Sequence, residues 1–469
     1  MNLKVEDLMR KITLPKRYFN SNFIISKRYS EEKEKFLSYI KQCKGDEFDD
    51  GQKRQIEENM LEVIKVADNI SSIILEIFDC YENVNYKRTQ ELMDGLMSQL
   101  EKDIFIGSID DWVCINCNGN NYYTRFRITP GQRFFRVRAV DYETPSIQKN
   151  ANELFHIPLS KRAYSNNERF SLVGFPSLYL STMLPLAWQE CGYPQKYYYS
   201  EYQYKYDIDL DTGKRSFENE LKFVMLYSPN EIANWGITVK YNDFSLWLEV
   251  ITRYLKTYPL ILACSFINQS GKVPYKQEYI IPQMLMQWVQ RNNSKVQGIE
   301  YFTCVDTSMR TSEWCAYNVV IPVMQPYDEK MYSIPLKEKF CWSSPQFYSV
   351  PIFDKSNNEK DREFIYNLVS NIRDTMRTYF FLNRYHDALI KMINICGCLM
   401  SLLENQNGVD MQLVLHILNS LSENVSSIER LDLDKDIETE LKKDNDIQFM
   451  AFHISHCIHA NCNRVCRSF

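Results

Sequence analysis

The chain has 469 residues, of which 45% are hydrophobic, so it is long enough to bury one large core or two to three smaller ones. Its 55 lysine and arginine residues against 60 aspartate and glutamate residues give a formal net charge of -5, so there is no overall basic field to hold a nucleic-acid backbone. Aromatic residues make up 14% of the chain, which indicates a packed interior and argues against long disordered tails.

The N-terminal residues are charged throughout and lack the continuous apolar core of a signal peptide. No later window reaches the roughly 18 apolar residues that a membrane span requires. We therefore expect a cytoplasmic protein that does not cross a membrane. The 14 cysteines are spread over nearly the whole chain, which predicts free thiols or metal ligands in a reducing compartment.

The first part of the chain, residues 1–109, is predicted to be a helical module. Within residues 30–104, apolar side chains recur at three- and four-residue steps, which is typical of one buried helix face. The clearest run is Ile56, Met60, Val63, Ala67, Ile70, Ile74 and Ile77. Residues 43–51 and 81–85 contain the turn signals that divide this stretch.

Residues 110–353 are predicted to form a domain of mixed strands and helices. Short β-branched and aromatic runs predict strands at 122–128, 133–140, 177–181, 222–227 and 258–266. Helices are predicted at 182–191 and 282–291. Without a regular alternation of strand and helix, this pattern favours an α+β domain. Residues 354–469 are predicted to be a helical C-terminal module, with helices at 364–403, 411–421 and 437–466.

The strongest local signal for chemistry lies in residues 167–190. It consists of an arginine, an aromatic residue and a serine, then a glycine, a Leu-Tyr-Leu strand and a helix with Ala-x-x-Glu. The positions are Arg169, Phe170, Ser171, Gly174, Tyr179, Ala187 and Glu190. This pattern resembles the signature of the RES family.

Further blocks resemble the RES pattern and stand in the family's order. Residues 134–138 are similar to its opening strand, with Arg136 at the basic position. Residues 279–283, 298–303 and 317–318 are similar to the helix, strand and Asn-bearing segment that close the domain. The resemblance covers residues 114–351 and implies an ADP-ribosyltransferase-like α+β fold with a mixed β core, flanked by the helical modules.

The RES resemblance implies an enzyme that cleaves NAD at the nicotinamide–ribose bond. Breaking that bond builds positive charge on the ribose, and the resemblance implies that the Glu190 carboxylate stabilises it. Arg136 and Arg169 are expected to bind the NAD diphosphate, because the guanidinium fork matches phosphate oxygens. Tyr179 is expected to act with Glu190, through its ring face and its hydroxyl.

Thr303 and Asn318 are expected to line the NAD site as neutral hydrogen-bonding groups. Each assignment has a structural alternative. Glu190 is an exposed helix residue in that alternative, the two arginines form structural ion pairs, and the remaining side chains pack or bond within the fold. The sequence departs from the family at Glu168, where a glycine commonly precedes the signature arginine, and the segment between Arg136 and Arg169 matches the family only in part.

Two Cys/His patterns are candidates for zinc. Cys114 and Cys117 have ligand spacing, but no second pair nearby completes four ligands. On a C-terminal helix, His459, Cys462 and Cys466 would share one face, although thiols packed into a core give the same pattern. We expect NAD as a substrate and no prosthetic group, and the zinc hypothesis rests on these patterns alone.

Several enzyme classes lack their motifs in this sequence. Neither a dinucleotide-binding glycine loop nor a Walker A motif is present, so NAD would bind outside a Rossmann fold. The nucleophile elbow of α/β-hydrolases and the zinc-protease HExxH motif are absent too. Around Arg384 and His386 we find no convincing version of the short motif of HEPN ribonucleases.

The functional prediction is an NAD glycohydrolase or phosphorylase of RES type that depletes NAD, acting as a toxin or defence effector. The resemblance also allows an ADP-ribosyltransferase that modifies a macromolecule. A third interpretation is a non-catalytic scaffold that keeps the fold for binding. Because NAD depletion harms the host cell, we expect an inhibitory or regulatory protein partner, as in a toxin–antitoxin pair. A homo-oligomer is a further possibility, and a nucleic-acid partner has no support in the sequence.

Overall fold

A computed structural model gives the architecture of the chain. It describes residues 3–18, 23–109, 114–117, 120–123, 133–140, 151–182, 184–192, 194, 196–205, 207–208, 215–216, 220–240, 243–268, 274–304 and 317–349. The helices of these residues are α1 Val5–Lys11, α2 Ile25–Lys41, α3 Asp50–Glu82, α4 Tyr86–Leu100, α5 Leu184–Glu190, α6 Pro229–Val239, α7 Phe244–Ala263, α8 Ile280–Arg291 and α9 Ile334–Lys339.

The strands of the same residues are mostly short. They are β1 Lys16–Tyr18, β2 Ile106–Ser108, β3 Cys114–Cys117, β4 Asn120–Tyr123, β5 Arg133–Ala139, β6 Ser177–Ser181, β7 Lys196–Tyr204, β8 Asp207–Ile208, β9 Arg215–Ser216, β10 Lys222–Leu226, β11 Phe266–Asn268, β12 Gly298–Phe302, β13 Tyr317–Pro322, β14 Phe340–Trp342 and β15 Gln346–Ser349. Short 3₁₀ turns lie at Ala151–Leu154, Leu159–Tyr164 and Gln277–Tyr279.

Three long helices fill most of the predicted helical stretch 30–104, which confirms its helical character. The breaks fall where the turn signals predict them, between α2 and α3 and between α3 and α4. Each of the later two helices begins at a side-chain cap. Asp49 accepts hydrogen bonds from the amides of Gly51 and Gln52, and Asn85 accepts one from the amide of Arg88.

A nine-stranded mixed sheet forms the centre of the described chain. Its strand order is β14-β7-β5-β6-β13-β12-β10-β2, and β15 also pairs with β7. Strands β10 and β12 run parallel, whereas the other pairs described in this sheet are antiparallel. The fold is therefore a mixture of α and β structure around a mixed sheet, in agreement with the predicted α+β class.

One hydrophobic core extends from the N-terminal helices into the sheet. The same cluster of buried side chains contains Leu3, Ile70 of α3, Leu260 of α7 and Val320 of β13. Helix α3 packs against both α7 and α8, and β1 pairs in parallel with β11. The N-terminal helices thus cover α7 and α8, and those helices in turn share the core with the sheet.

The predicted strand 258–266 is wrong. Residues 258–263 form the last part of helix α7, and only Phe266 lies in a strand, β11. Helix α7 is buried on nearly all sides from Trp247 to its end. Its last part, residues 258–263, is apolar and lacks the polar stripe of an amphipathic helix. A short apolar run of this kind fits a buried strand equally well. The sequence analysis also did not predict the long strand β7, which pairs with β5 along its length.

The predicted domain limits at 109/110 and 353/354 stay predictions. Strand β2, which precedes the first limit, belongs to the central sheet. The predicted C-terminal helical module, 354–469, lies outside the described residues. Within the part of the chain that the structure describes, no helix combines the length and apolarity needed to cross a membrane.

Candidate functional site

Glu190 is the last residue of helix α5, which lies against strands β5 and β6. The apolar side of this short helix is held in a buried cluster formed by Phe135, Leu184, Ala187, Trp188 and Tyr197. The indole of Trp188 also donates a hydrogen bond of 2.9 Å to the carbonyl of Pro194, just beyond the helix. These contacts fix the direction of the helix, and so they fix where its exposed final residue lies.

The carboxylate of Glu190 is held by one of its two oxygens. The Thr303 hydroxyl donates to Oε1 at 2.8 Å, and the Asn318 amide nitrogen donates to the same oxygen at 2.7 Å. Among the described residues, Oε2 has no hydrogen-bond partner. One oxygen therefore orients the group while the other remains available to a bound molecule.

Three neighbouring strands bring these groups together. Asn318 lies in β13 opposite Ser181 of β6 and opposite Tyr301 of β12. The Ser181 hydroxyl donates to the Asn318 side-chain oxygen at 2.5 Å, which directs the amide nitrogen toward Glu190. Thr303 follows directly after β12, at the end of the sheet where β13 begins. Asn318 is buried, and both its amide oxygen and its amide nitrogen have a hydrogen-bond partner.

Burial and hydrogen bonding act in opposite directions on Glu190. Desolvation by the surrounding protein raises the pKa of the carboxyl, whereas the bonds from Thr303 and Asn318 and the charge of Arg169 lower it. The net result is a raised pKa. Because the residue keeps an exposed surface, solvent reaches the group and limits this increase.

Arg136 is a half-buried cation on the central strand β5. Its Nη1 atom is buried without a hydrogen-bond partner, and in the described structure the guanidinium forms no ion pair. Ser200, directly opposite on β7, also has a buried hydroxyl without a partner. Burial lowers the pKa of Arg136. Leaving a desolvated cation unpaired costs free energy, so this arginine is well suited to receive an anionic ligand.

Arg169 has contacts of a different kind. Its Nη1 donates to the carbonyls of Cys264 and Phe266, each at 3.0 Å, and its guanidinium lies 5.1 Å from the ring centre of Tyr279. Cys264 caps the C-terminal end of α7, where a positive charge is favourable. Arg169 therefore ties α7 and β11 together, while its charge also acts on Glu190.

Tyr179 lies in the middle of β6 and is half-buried. Its hydroxyl shares a hydrogen bond of 2.8 Å with the Ser171 hydroxyl, and Phe170 packs against Tyr301 at 4.7 Å between ring centres. Gly174 has a φ of 80°, a left-handed conformation that explains the signature glycine. Ser171 of the signature thus contacts the Tyr179 hydroxyl, and burial raises the pKa of that hydroxyl.

All six predicted site residues lie in the described part of the chain. Glu190, Thr303 and Asn318 are in direct contact. Arg169 interacts with Glu190 through its charge, and the charge of the neighbouring Glu168 acts on both Tyr179 and Arg136. Hereafter the Glu190 site means Glu190, Thr303, Asn318, Tyr179, Arg136 and Arg169. Whether these residues bind NAD stays a prediction.

The sequence analysis did not identify the residues that orient the site residues and their neighbours through hydrogen bonds. Ser181 orients Asn318, and Gln283 of α8 bonds to the Asn167 side chain at 2.7 Å and to the Glu168 carbonyl at 2.9 Å. Lys276 donates to the Tyr279 hydroxyl at 3.0 Å. A glutamine between apolar residues, as at Gln283 near the start of α8, is a signal for a buried polar contact.

The zinc hypothesis stays a prediction. Cys114 and Cys117 are the end residues of strand β3, which pairs with β4. In the described portion of the chain, no group of three or more histidine, cysteine, aspartate or glutamate side chains is arranged to hold a metal ion. His459, Cys462 and Cys466 lie outside the described residues.

Comparison with known proteins gives one informative similarity. Over 220 residues the chain is 32% identical to a curated protein of Bacillus subtilis (strain 168) named "Putative toxin YopC". The similarity covers 45% of this chain and 46% of the relative, so the chain spans about half the length of the curated relative it matches. No family model matches the sequence, and no solved structure matches it.

Proposed function

We propose that this protein cleaves NAD at the nicotinamide–ribose bond, with Glu190 as the catalytic carboxylate. The observation that carries the proposal is the Glu190 geometry. Oε1 accepts hydrogen bonds from Thr303 and Asn318, and no described residue occupies Oε2. An oriented carboxylate with one free oxygen stabilises the positive charge that develops on the ribose as the bond breaks.

In the proposed reaction, the bond between the ribose carbon and the nicotinamide nitrogen breaks, and its electron pair leaves with nicotinamide. The ribose carbon then forms a bond to an oxygen of the acceptor. With water as the acceptor, one proton is released, and in this proposal the Glu190 carboxylate accepts it. The raised pKa of Glu190 suits a group that takes up and returns a proton.

Arg136 supports the same proposal because it is suited to bind the substrate. An unpaired guanidinium matches the diphosphate of NAD and would be neutralised by it. Arg169 adds positive charge, although its Nη1 atom already bonds to two backbone carbonyls. Arg136 is therefore the principal diphosphate donor in the proposed complex.

The proposed fold is of the RES type, resembling ADP-ribosyltransferases. In its support, the blocks of the resemblance fall on β5, β6, α5, α8, β12 and β13 in chain order. We further propose a toxin or defence effector that depletes cytoplasmic NAD and is restrained by a protein partner. The toxin role draws on the name of the Bacillus subtilis relative, which matches over part of its length.

The test is nicotinamide release from NAD by the purified full chain. We expect release by the wild type, and Glu190→Gln should reduce the rate by about a hundredfold or more because the neutral amide cannot stabilise the ribosyl cation. Glu58→Gln, at an exposed position of α3, is the matched control and should retain the wild-type rate.

Each result distinguishes the interpretations of the site. Undiminished release by Glu190→Gln would show that Glu190 is not the catalytic carboxylate. Release of nicotinamide with ADP-ribose attached to a macromolecule would favour the transferase. If the wild type binds NAD but releases no nicotinamide even with cell extract as acceptor source, the chain is a scaffold.

A further inference from the structure

We propose that Glu168 selects the acceptor in this site, keeping inorganic phosphate out so that water receives the ADP-ribosyl group. This inference rests on the proposed NAD cleavage and concerns which oxygen replaces nicotinamide. Glu168 stands where the RES pattern commonly has glycine, so the feature belongs to this chain's own sequence.

The backbone of Glu168 is held rigidly next to the Glu190 site. Its amide donates to the carbonyl of Ser171 at 3.0 Å, and the Ser171 amide donates back at 3.2 Å. Gln283 donates to the Glu168 carbonyl at 2.9 Å, and the Ser171 hydroxyl contacts that of Tyr179 at 2.8 Å. The turn that carries Glu168 is thereby anchored to α8 and to strand β6.

The carboxylate of Glu168, unlike its backbone, is not held by the protein. Its residue is exposed, and it forms no hydrogen bond or ion pair within the described ranges. Desolvation raises the pKa of this carboxyl, whereas the positive charges of Lys276 and Arg136 lower it. In its ionised form it acts on Glu190 and on Tyr179. Glu168 therefore adds a second, unpaired negative charge to the site in which Glu190 is the first.

Two negative charges discriminate between the acceptors by electrostatics. Water is neutral, whereas inorganic phosphate carries one to two negative charges at neutral pH and is repelled by both carboxylates. In the proposed complex the positive charge of Arg136 is compensated by the NAD diphosphate, so it no longer offsets Glu168. Inorganic phosphate that enters the site is then repelled by the two carboxylates, whereas water is not.

The two routes differ only in the bond that forms. In both, the ribose carbon–nitrogen bond breaks and nicotinamide takes the electron pair. Hydrolysis joins the carbon to the oxygen of water and gives ADP-ribose and a proton. Phosphorolysis joins the same carbon to a phosphate oxygen and gives ADP-ribose that carries a phosphate ester at this carbon. The ratio of these two products therefore measures acceptor choice directly.

The experiment uses the purified full chain with NAD and increasing inorganic phosphate, at an ionic strength held constant with sodium chloride. Nicotinamide and both ribosyl products are quantified for the wild type, Glu168→Gln, Glu168→Asp and Glu58→Gln. Wild type and Glu58→Gln should form ADP-ribose at every phosphate concentration. Glu168→Gln should increase the phosphate-ester fraction at least roughly tenfold, and Glu168→Asp, which keeps the charge, should stay near the wild type.

The outcomes separate this inference from the proposed function. An unchanged product ratio in Glu168→Gln, or a wild type that already forms mainly the phosphate ester, overturns acceptor selection while nicotinamide release still supports NAD cleavage. A wild type that releases no nicotinamide overturns both proposals. Equal gains in Glu168→Gln and Glu58→Gln would assign the effect to net charge and so also overturn the role of Glu168.

Discussion

Thr303 influences Glu190 through a single hydrogen bond that favours the charged carboxylate. That bond and the one from Asn318 lower the pKa of Glu190, against the larger effect of burial, which raises it. Thr303 is therefore a positioning residue in the proposed reaction, and its contribution should appear in the dependence of the rate on pH.

We predict that Thr303→Val moves the acidic limb of the nicotinamide-release profile to higher pH, by up to about one unit. The active form of Glu190 is the carboxylate, so the rate falls as pH decreases through its pKa, and losing a stabilising bond raises that pKa further. Measured profiles of kcat/KM against pH test this. Thr303→Ser keeps the hydroxyl and is the control; a limb at the same pH in both variants would contradict the prediction.

His156 is a buried histidine whose two ring nitrogens are both in use. Nδ1 donates to the carbonyl of Ile157 at 2.9 Å, and Nε2 accepts from the amide of Ser333 at 2.9 Å. The side chain is 1% exposed, and burial lowers its pKa from 6.5 to about 4. Protonation would place a charge in the core and break the bond from Ser333.

We predict that His156 makes the fold less stable in acid. Its folded pKa lies below the unfolded value, so the unfolded state binds more protons, and stability falls as pH decreases from 6.5 toward 4. The loss approaches about 1.4 kcal/mol per pH unit in the middle of that range. His156→Gln should be less stable at pH 7 but should lose less stability on acidification. Urea unfolding across this range tests it, and equal slopes would refute the prediction.

Strand β12 leads directly into Thr303, and its first residue has no space for a side chain. A Cβ atom on Gly298 would lie 2.6 Å from the Phe223 ring and 2.7 Å from the backbone oxygen of Val320. The Phe223 ring belongs to a side chain that can rotate, but the Val320 oxygen belongs to the backbone of the neighbouring strand β13. Close packing between three strands therefore depends on this glycine.

We predict that Gly298→Ala lowers the free energy of unfolding by about 1–3 kcal/mol, because the strands must separate to accommodate the methyl group. Gly95→Ala is the matched control. Gly95 lies on the exposed side of α4, where an added Cβ meets no atom within 4 Å. There alanine should stabilise the helix by about 0.5–1 kcal/mol. Denaturant unfolding measures both, and a loss at Gly95 equal to that at Gly298 would contradict the argument.

At the scale of the whole molecule, Tyr29 connects the N-terminal helices with the rest of the core. Its hydroxyl donates to the Pro259 carbonyl of α7 at 3.2 Å and lies 3.3 Å from the Ser71 hydroxyl of α3. Its ring centre lies 5.9 Å from that of Phe78 and 6.3 Å from that of Phe266. The side chain is fully buried. Such a contact couples the stability of both parts.

We predict that Tyr29→Ala destabilises the protein by about 3–5 kcal/mol and that tryptophan fluorescence reports this loss. All seven tryptophans lie beyond residue 109, so they report on the region outside the N-terminal helices. Tyr86→Ala, at a position that is 54% exposed, should leave the transition nearly unchanged. If Tyr29→Ala left the tryptophan transition in place, the N-terminal helices would be an independent module after all.

The sequence by itself determined the features that repeat over short distances. Apolar residues at helical spacing predicted the α2–α4 region, because this period shows which face of a helix is buried. A run of apolar and aromatic residues predicted β6, which is largely buried on both faces. The resemblance to the RES pattern nominated Glu190 and Arg136. Where the period is absent, as in the last part of α7, the local pattern could not separate a buried helix from a strand.

Only the tertiary structure decided how the chosen residues meet. Glu190 is 113 residues from Thr303 and 128 from Asn318, and their contact depends on the pairing of β12, β13 and β6. The tertiary structure also gives the Arg169 guanidinium two backbone carbonyl acceptors, whereas the buried Nη1 of Arg136 has no hydrogen-bond acceptor in the described structure. Local preference extends over a few residues, whereas strand order and burial decide which side chains share a site and which charges stay unpaired.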